Sequence, residues 1–353
     1  MALPNQSQSL PRADPPLLRQ DLFLKGFDPD KLRGIVKDAR FEHYILTNSP
    51  CEVRHRRWSC GSFSVDAGVY SFSTRVMGAF PRNRICIGYM RGMTEPTWSS
   101  GMVLGTHSIQ FYPAGSELNY RAGRNAHWVA IEFEEDDLQK VAEERLGHPL
   151  VLPVGNVCDI PVSHAVVANL DRLVEKSMTP HATSARWVSP ILAALVDTLE
   201  HAWKGTLTTI RKRWKHREVL LRKADEYLRA HVGAPFDSKA LASFVGTTER
   251  SLQLHFHDAF GMTPGQWARC LALHRVRSQL LEIGAVRFSI EGIARDCGFR
   301  HMGRFASYYH ELFGELPSDT LQRRMDAGTI QVLPHGAGED EEPAERATRE
   351  RGE

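Results

Sequence analysis

The chain has 353 residues, with 44 Lys and Arg against 42 Asp and Glu and 42% hydrophobic residues, enough for about two domains with cores of their own. No apolar run approaches the roughly 18 residues needed to cross a membrane, and residues 1–20 lack the basic flank and apolar stretch of a secretory signal, so a soluble cytoplasmic protein is expected. The six cysteines (Cys51, Cys60, Cys86, Cys158, Cys270, Cys297) form no CxxC pair and no Cys/His zinc spacing, which argues for free thiols and against a metal site.

Residues 1–20 are polar, carry Pro4, Pro11, Pro15 and Pro16, and are expected to be disordered. Residues 21–134 hold strand-like runs between Gly and Pro: Phe63–Val65, Ile85–Tyr89, Ser108–Tyr112 and Trp128–Phe133. Short strands with turns between them suggest a barrel or sandwich. From Asp136-Asp137 the period changes, and Leu138, Val141, Ala142 and Leu146 mark a helix ending near Gly147. Two more helices are expected at about 161–177 and 184–203, the second with Ser184 placed to cap it. Its stripe of Trp187, Ile191, Leu192, Leu195, Val196 and Leu199 suits a fold core and a homodimer contact equally. Residues 206–217, with Arg211-Lys-Arg-Trp-Lys-His-Arg217, read as a basic linker, and residues 326–353 as a Gly/Glu-rich disordered tail.

Between these lies an internal repeat. Phe236, Leu241, Ala242 and Gly246 recur 52 positions later as Phe288, Ile293, Ala294 and Gly298; after one inserted residue Phe256, Phe260, Gly261 and Pro264 match Tyr309, Phe313, Gly314 and Pro317. Each copy reads as a short helix, a glycine turn and a longer helix, the layout of a helix-turn-helix. The charge surplus falls here: residues 211–325 hold 19 Lys and Arg against 12 Asp and Glu, whereas residues 1–210 hold 22 of each. A basic face coinciding with the repeat suits a phosphate backbone.

In the first copy a helix over 218–231 packs through Leu220, Ala224, Tyr227 and Leu228. Asp237 or Ser238 caps the next, Gly246 makes the turn, and Thr247 or Thr248 caps the reading helix, which buries Leu252 and Phe256. Thr248, Glu249, Arg250, Gln253, Leu254 and His257 are left as candidate DNA contacts. Arg250 and Gln253 share a face, and a guanidinium suits guanine O6/N7 as an amide suits adenine N6/N7. In the second copy Ser289 caps a helix burying Ile290, Ile293, Ala294 and Cys297. The reading helix after Gly298 buries Phe305, Tyr309 and Leu312 and presents Arg300, His301, Met302, Arg304 and Ser307. Arg304 is the leading base-reading candidate there. Gly303, costing about 1 kcal/mol against Ala in a helix, needs a reason: close approach to DNA or packing against a neighbouring helix. One long helix over 265–282 joins the units.

The run Leu241-Ala242 … Leu252 … Phe256 … Phe260-Gly261 … Pro264, the helix with Arg275 and Leu280-Leu281, and Ile290 … Ile293-Ala294 … Gly298-Phe299 … Phe305 … Tyr309 … Phe313-Gly314 … Pro317 resemble the DNA-binding domain of the AraC/XylS family of bacterial transcription regulators over residues 218–325. The stretch Gly298–Phe305 followed by Phe313–Ser318 is similar to the branch containing the ethanolamine-operon regulator. The resemblance implies an α+β protein: a β-rich, cupin-like effector domain with following helices over 21–205, then an all-α domain with two helix-turn-helix units. It implies promoter DNA, RNA polymerase and a small-molecule effector as partners, and activation as the outcome. Leu254, His257, Ser307 and His310 stand where the family commonly has Arg and Lys, so its base contacts do not carry over there.

A cupin enzyme needs a metal-binding His soon after Pro-x-Gly, but Pro113-Ala-Gly115-Ser-Glu-Leu118 puts Leu at that place. His55, His107 and His127 stand alone, and Glu117 is a weak exception. Arg54, Arg56 and Arg57 beside Trp58 suit either an anionic ligand or a basic strand edge. The alternative, an enzyme fused to a DNA-binding domain as in adaptive DNA-repair methyltransferases, needs a reactive Cys cluster or a Cys-His pair. The scattered cysteines suggest neither, so no catalytic residue and no cofactor are expected.

Overall fold

The β-branched and aromatic runs of the first half pair antiparallel in two facing sheets. A computed structural model describes residues 17–47, 50–100, 102–153, 157–179, 185–206, 211–282 and 289–330. Its elements begin with β1 (Leu17–Lys25), α1 (Pro29–Leu32), β2 (Arg40–Ile45), β3 (Glu52–Cys60), β4 (Phe63–Tyr70), β5 (Thr74–Ala79) and β6 (Ile85–Gly92). Then come β7 (Thr97–Ser99), β8 (Met102–Leu104), β9 (Ser108–Tyr112), β10 (Glu117–Ala122), β11 (Ala126–Phe133), α2 (Glu135–Leu146), β12 (Cys158–Pro161), α3 (His164–Ser177) and α4 (Val188–Thr206). Among the described residues a seven-stranded sheet runs β1-β3-β4-β11-β6-β9-β12 and a five-stranded sheet β2-β5-β10-β7-β8.

Central strands β4 and β11 are buried on both faces because each face has a cover. One face, with Trp58, Val65, Ile87 and Ile131, packs against Leu138, Leu170, Ile191 and Leu195 of the following helices. The other, with Tyr70, Cys86, Tyr112 and Trp128, meets Phe41 and Val76 of the smaller sheet. The fold class is thus the expected β-rich N-terminal part followed by helices. The α4 stripe is core: Ile191, Leu195 and Val196 are 0% exposed, so it is not free for a partner.

The structure corrects several expected boundaries. Residues 17–20 are strand, because β1 pairs along its length with β3, from Leu17 opposite Cys60 to Lys25 opposite Glu52. Long-range pairing outweighs local polarity there. Residues 158–161 pair with β9, so α3 starts at His164, and Ser184 lies outside the described residues. The basic run from Arg211 is helical: it contains no Gly or Pro, and α5 (Arg211–Ala230) carries it into the next domain. Similarly, α11 (Pro317–Ile330) extends into the expected tail; residues 1–16, 331–353 and Phe288 lie outside the described residues.

The C-terminal half continues with α6 (Ser238–Val245), α7 (Glu249–Phe260), α8 (Pro264–Glu282), α9 (Ile290–Asp296) and α10 (Met302–Phe313), ending in α11. It shares one apolar core with the barrel. Tyr44 of β2 packs edge-on against Trp267 and His274 of α8, and Phe27 against His274. At the centre of this junction lies Asp225 of α5, 2% exposed. Its carboxylate accepts from Arg75 Nη1 of β5 (2.9 Å), Trp267 Nε1 (2.6 Å) and Arg229 Nε (2.7 Å). The Arg75 guanidinium also stacks 3.9 Å from the Phe260 ring centroid and 4.4 Å from that of Trp267. Arg277 Nη2 donates to the Phe27 carbonyl (3.1 Å), and His274 Nε2 lies 3.1 Å from the Ile45 carbonyl.

Burial alone would raise the Asp225 pKa, but Arg75 and Arg229 more than offset this and hold it below the ordinary carboxylate range. The resulting stability is present above the unfolded carboxylate pKa of about 4 and is lost as pH falls through the lower folded value. Asp225→Ala leaves the buried Arg75 without its acid and takes one of two acids from the partly exposed Arg229, and should cost about 3–5 kcal/mol. It should also flatten the acid limb of the stability–pH curve; a variant whose denaturation midpoints match the parent's from pH 3 to 8 would contradict this role.

Candidate nucleic-acid interface

Both helix-turn-helix units are set by caps and glycine turns. In the first, Asp237 Oδ1 accepts from the Lys239 and Ala240 amides (2.9 and 3.0 Å), and α6 ends at Gly246 with φ +74°. Thr248 rather than Thr247 caps α7, its hydroxyl accepting from the Ser251 amide at 3.2 Å, an interaction worth about 1 kcal/mol. Leu252 and Phe256 are fully buried, which fixes the roll of α7. Glu249, Arg250, Gln253, Leu254 and His257 are exposed on the opposite side. Leu254, 59% exposed, is an apolar group held out on a polar face. Arg217 of α5 pairs with Asp258 at 3.5 Å and steadies the back of α7.

In the second unit the Ser289 hydroxyl accepts from the Gly292 amide at 2.9 Å, α9 ends before Gly298 with φ +90°, and Phe299 packs on Phe305. Phe305, Tyr309 and Leu312 are buried, while Arg300, His301, Arg304 and Ser307 are exposed. Two candidates differ from expectation. Met302 is half-buried against the core rather than outward, because at the first turn of α10 its flexible side chain folds under the helix. Ser307 donates to the Gly303 carbonyl at 3.0 Å. Gly303 itself has nothing within 4 Å of where a Cβ would stand, so packing against a neighbouring helix does not explain it.

Sequence reasoning did not single out Arg269. It is exposed on α8, whose Trp267, Cys270, Leu271, Ala272 and Leu273 are all buried, and it lies 4.2 Å from the Tyr308 ring centroid. With Arg295, Arg300, His301 and Arg304 it lines a groove of about 760 Å³ between the two units, where Asp237 is the one carboxylate among the described lining residues. The available signal was an arginine set within the apolar run Trp267–Leu273. A positive groove flanked by two exposed helix starts offers donors to phosphate and to base edges.

The N-terminal candidates are brought together only in part: Arg54 and Arg56 line one cleft with His55 and His127, and Arg57 lies outside it. Arg57 donates to Asp66 (2.6 Å) and to the Gly34 carbonyl (2.8 Å), Arg56 pairs with Glu175 (2.8 Å), and Arg54 stacks on Phe23. Each has its own partner and β3 is an internal strand between β1 and β4, so the three form neither a strand edge nor one common anion site. His55 is buried 2.8 Å from Asp66, His107 lies against His164, and His127 is exposed. Among the described residues no group of three or more His, Cys, Asp or Glu is placed to hold a metal. Burial pushes the thiols of Cys51 and Cys270 up to about 11 and 12, away from nucleophilic chemistry. Among the described residues no helix is long and apolar enough to cross a membrane.

Residues 241–323 match the family model of a helix-turn-helix domain, which therefore spans both units. Over 99 residues the chain is 36% identical to XylDLEGF operon transcriptional activator 1 of Pseudomonas putida, covering 28% of this chain and 30% of that protein. A probable AraC family transcriptional regulator from Rhodopseudomonas palustris is 31% identical over 30% of this chain and 96% of its own, with a TM-score of 0.29. Through this domain the chain belongs to the AraC/XylS family. Along more of its length it is similar to the probable thc operon regulatory protein of Rhodococcus erythropolis, 24% identical over 318 residues, 84% of this chain and 93% of that one. This AraC/XylS member is a DNA-binding transcription regulator.

The two turn glycines are not equivalent. A Cβ at Gly246 would meet nothing within 4 Å, whereas one at Gly298 would stand 2.9 Å from the Gly233 carbonyl oxygen. Gly246→Ala should cost about 1 kcal/mol of backbone strain alone, and Gly298→Ala should cost more because the α5–α6 loop must also move. Thermal denaturation of the two variants checks the order; equal losses would refute the close contact.

Proposed function

We propose that this regulator is an effector-responsive activator that reads two adjacent major grooves, one with each unit. The observation that carries the reading is the pair of exposed helix faces, Arg250 with Gln253 and Arg304 with Arg300, on one body joined by the buried α8. Successive major grooves on one face of DNA recur about 34 Å apart, so one chain suffices for two contacts. In this reading Arg250, Gln253 and Arg304 take base edges, Leu254 meets a thymine methyl, and Thr248, Glu249, His257, His301 and Ser307 line the approach. Arg269 and Arg300 in the groove neutralise phosphate.

Activation is supported by the name of the P. putida relative, a transcriptional activator, and implies contact with RNA polymerase. The named relatives are thc and XylDLEGF operon regulators, so the proposal keeps a small metabolite as effector without committing to ethanolamine. A homodimer, if formed, uses a surface other than the α4 stripe.

Binding of the purified chain to fragments upstream of its neighbouring genes tests the reading. Affinity should fall steeply with salt. Arg304→Ala should cost about 1–3 kcal/mol of specific binding and relax one base position, whereas Arg269→Ala should weaken all sequences alike and lower the salt slope by about 1. Equal loss on specific and random DNA would make Arg304 a phosphate contact only, and salt-indifferent affinity would sink the central claim.

A further inference from the structure

Several exposed arginines of this chain have acids of their own: Arg56 with Glu175, Arg145 with Asp197 and Arg222 with Glu226. The groove between the two helix-turn-helix units is different. Arg295 at its edge pairs with Glu291 at 2.6 Å, but Arg269, Arg300 and Arg304 have no carboxylate partner among the described residues, and Arg269 rests on the Tyr308 ring instead. Asp237, the one carboxylate among the described lining residues, is engaged in holding the Lys239 and Ala240 amides of α6. Three guanidiniums around one space of about 760 Å³ repel one another, and an anionic occupant relieves that repulsion.

The chain carries an anion of the right kind. Residues 331–353, which follow α11, hold seven Asp and Glu against three Arg, and four of the acids form the run Glu339-Asp340-Glu341-Glu342. That run stands 9–12 residues past Ile330, where α11 ends, a span of up to about 30–40 Å when extended. The tether has little distance to cover. Helix α11 begins at Pro317, close behind Phe313 at the end of α10; it is about 20 Å long, and Arg304 lies about 14 Å back along α10. The two lengths laid end to end do not exceed the reach of the acids.

We propose that the acidic run Glu339–Glu342 docks in the groove between the two units, pairs with Arg269, Arg300 and Arg304, and competes there with DNA phosphate. The proposal rests on the reading in which this groove takes phosphate, and it adds regulation of the groove by a segment of the same chain. Carboxylate and phosphate oxygens suit the same guanidinium fork, so a duplex enters only by displacing the run. A tethered segment is present at about millimolar effective concentration; a run that binds at about 0.1 mM when free therefore fills the groove about ten to one and weakens DNA binding about tenfold. The ratio of cognate to random affinity is untouched. Random duplexes, which have no base contacts to add, are the ones brought below occupancy.

The full chain carrying Glu339→Gln, Asp340→Asn, Glu341→Gln and Glu342→Gln together, compared with the parent on a random-sequence duplex, tests this. At about 50 mM salt the variant should bind about tenfold tighter, and the gap should close by about 300 mM, because screening loosens the run in the parent as it loosens DNA in both. With no DNA present, amide exchange over residues 231–237 and 299–304 should be slower in the parent than in the variant. A peptide of residues 331–353 added to the variant should restore that protection, and should fail to do so when Arg269→Gln and Arg300→Gln are also in place. Equal DNA affinities at the lower salt, equal exchange in the two proteins, protection confined to other segments, or a peptide indifferent to the two arginines would overturn the proposal. A gain in DNA affinity without groove protection in the parent would do the same, since bulk charge alone produces it. The exchange measurement needs no DNA, so it decides the contact independently of whether either protein binds a duplex, the result on which the DNA-binding reading stands.

Discussion

One buried carboxylate organises this molecule. Asp225 accepts from Arg75 of the barrel, Arg229 of its own helix and Trp267 of the helix joining the two units. Removing charges from water is expensive, and such a pair returns that cost only when every partner is in place. Apolar contacts such as Tyr44 on Trp267 would tolerate small slides of one domain over the other. A three-partner carboxylate does not, because each displacement leaves a buried donor unsatisfied. The position of the recognition surface relative to the barrel is thereby fixed by directional bonds, with hydrophobic burial supplying the bulk of the attraction.

The consequence reaches the reading helices through α8. That helix buries residues on nearly every side, His274 and Arg277 included, since it faces β2 on one flank and both units on the others. It cannot tilt without disturbing the barrel. The units it joins differ in chemistry: the first presents Arg, Gln and Leu, the second two arginines and a glycine with open space beside it. In the proposed reading a site recognised by such unlike halves has a direction, which an activator needs in order to face polymerase from one side.

Much of this was legible in the sequence, and the exceptions share a cause. The repeat placed both turn glycines, the cap at Thr247 or Thr248, the cap Ser289, and the buried Leu252, Phe256, Phe305 and Tyr309, because helical spacing and capping are local signals. Strands β1 and β12 were missed because they exist only through partners far along the chain. Met302 faced inward for a similar reason: periodicity gives a helix its apolar stripe, but not the neighbour that widens it. Arg75, Arg121, Asp225 and Arg277 were invisible as a junction. A charged residue on a strand or helix reads as solvated surface, and only the packing of the domains reveals that Arg75, Asp225 and Arg277 are buried and Arg121 half-buried.

The same packing bears on where a signal can enter. Inside the barrel two tyrosine hydroxyls have partners, that of Tyr70 3.1 Å from His43 and that of Tyr112 2.9 Å from Ser99, and aromatic rings fill the space between. A container so filled can admit a ligand only by expelling large side chains, at the cost of their contacts. The outer face of the smaller sheet is different, since there two neighbouring arginines meet the DNA-binding domain and one of them, Arg75, is fully committed. Arg121, opposite it in the β10–β5 register, lies beside Gly261 at the end of α7. The asymmetry between these two register partners leaves one tied to the DNA-binding domain by a directional ion pair and the other held by a ring contact with Trp98 of its own sheet.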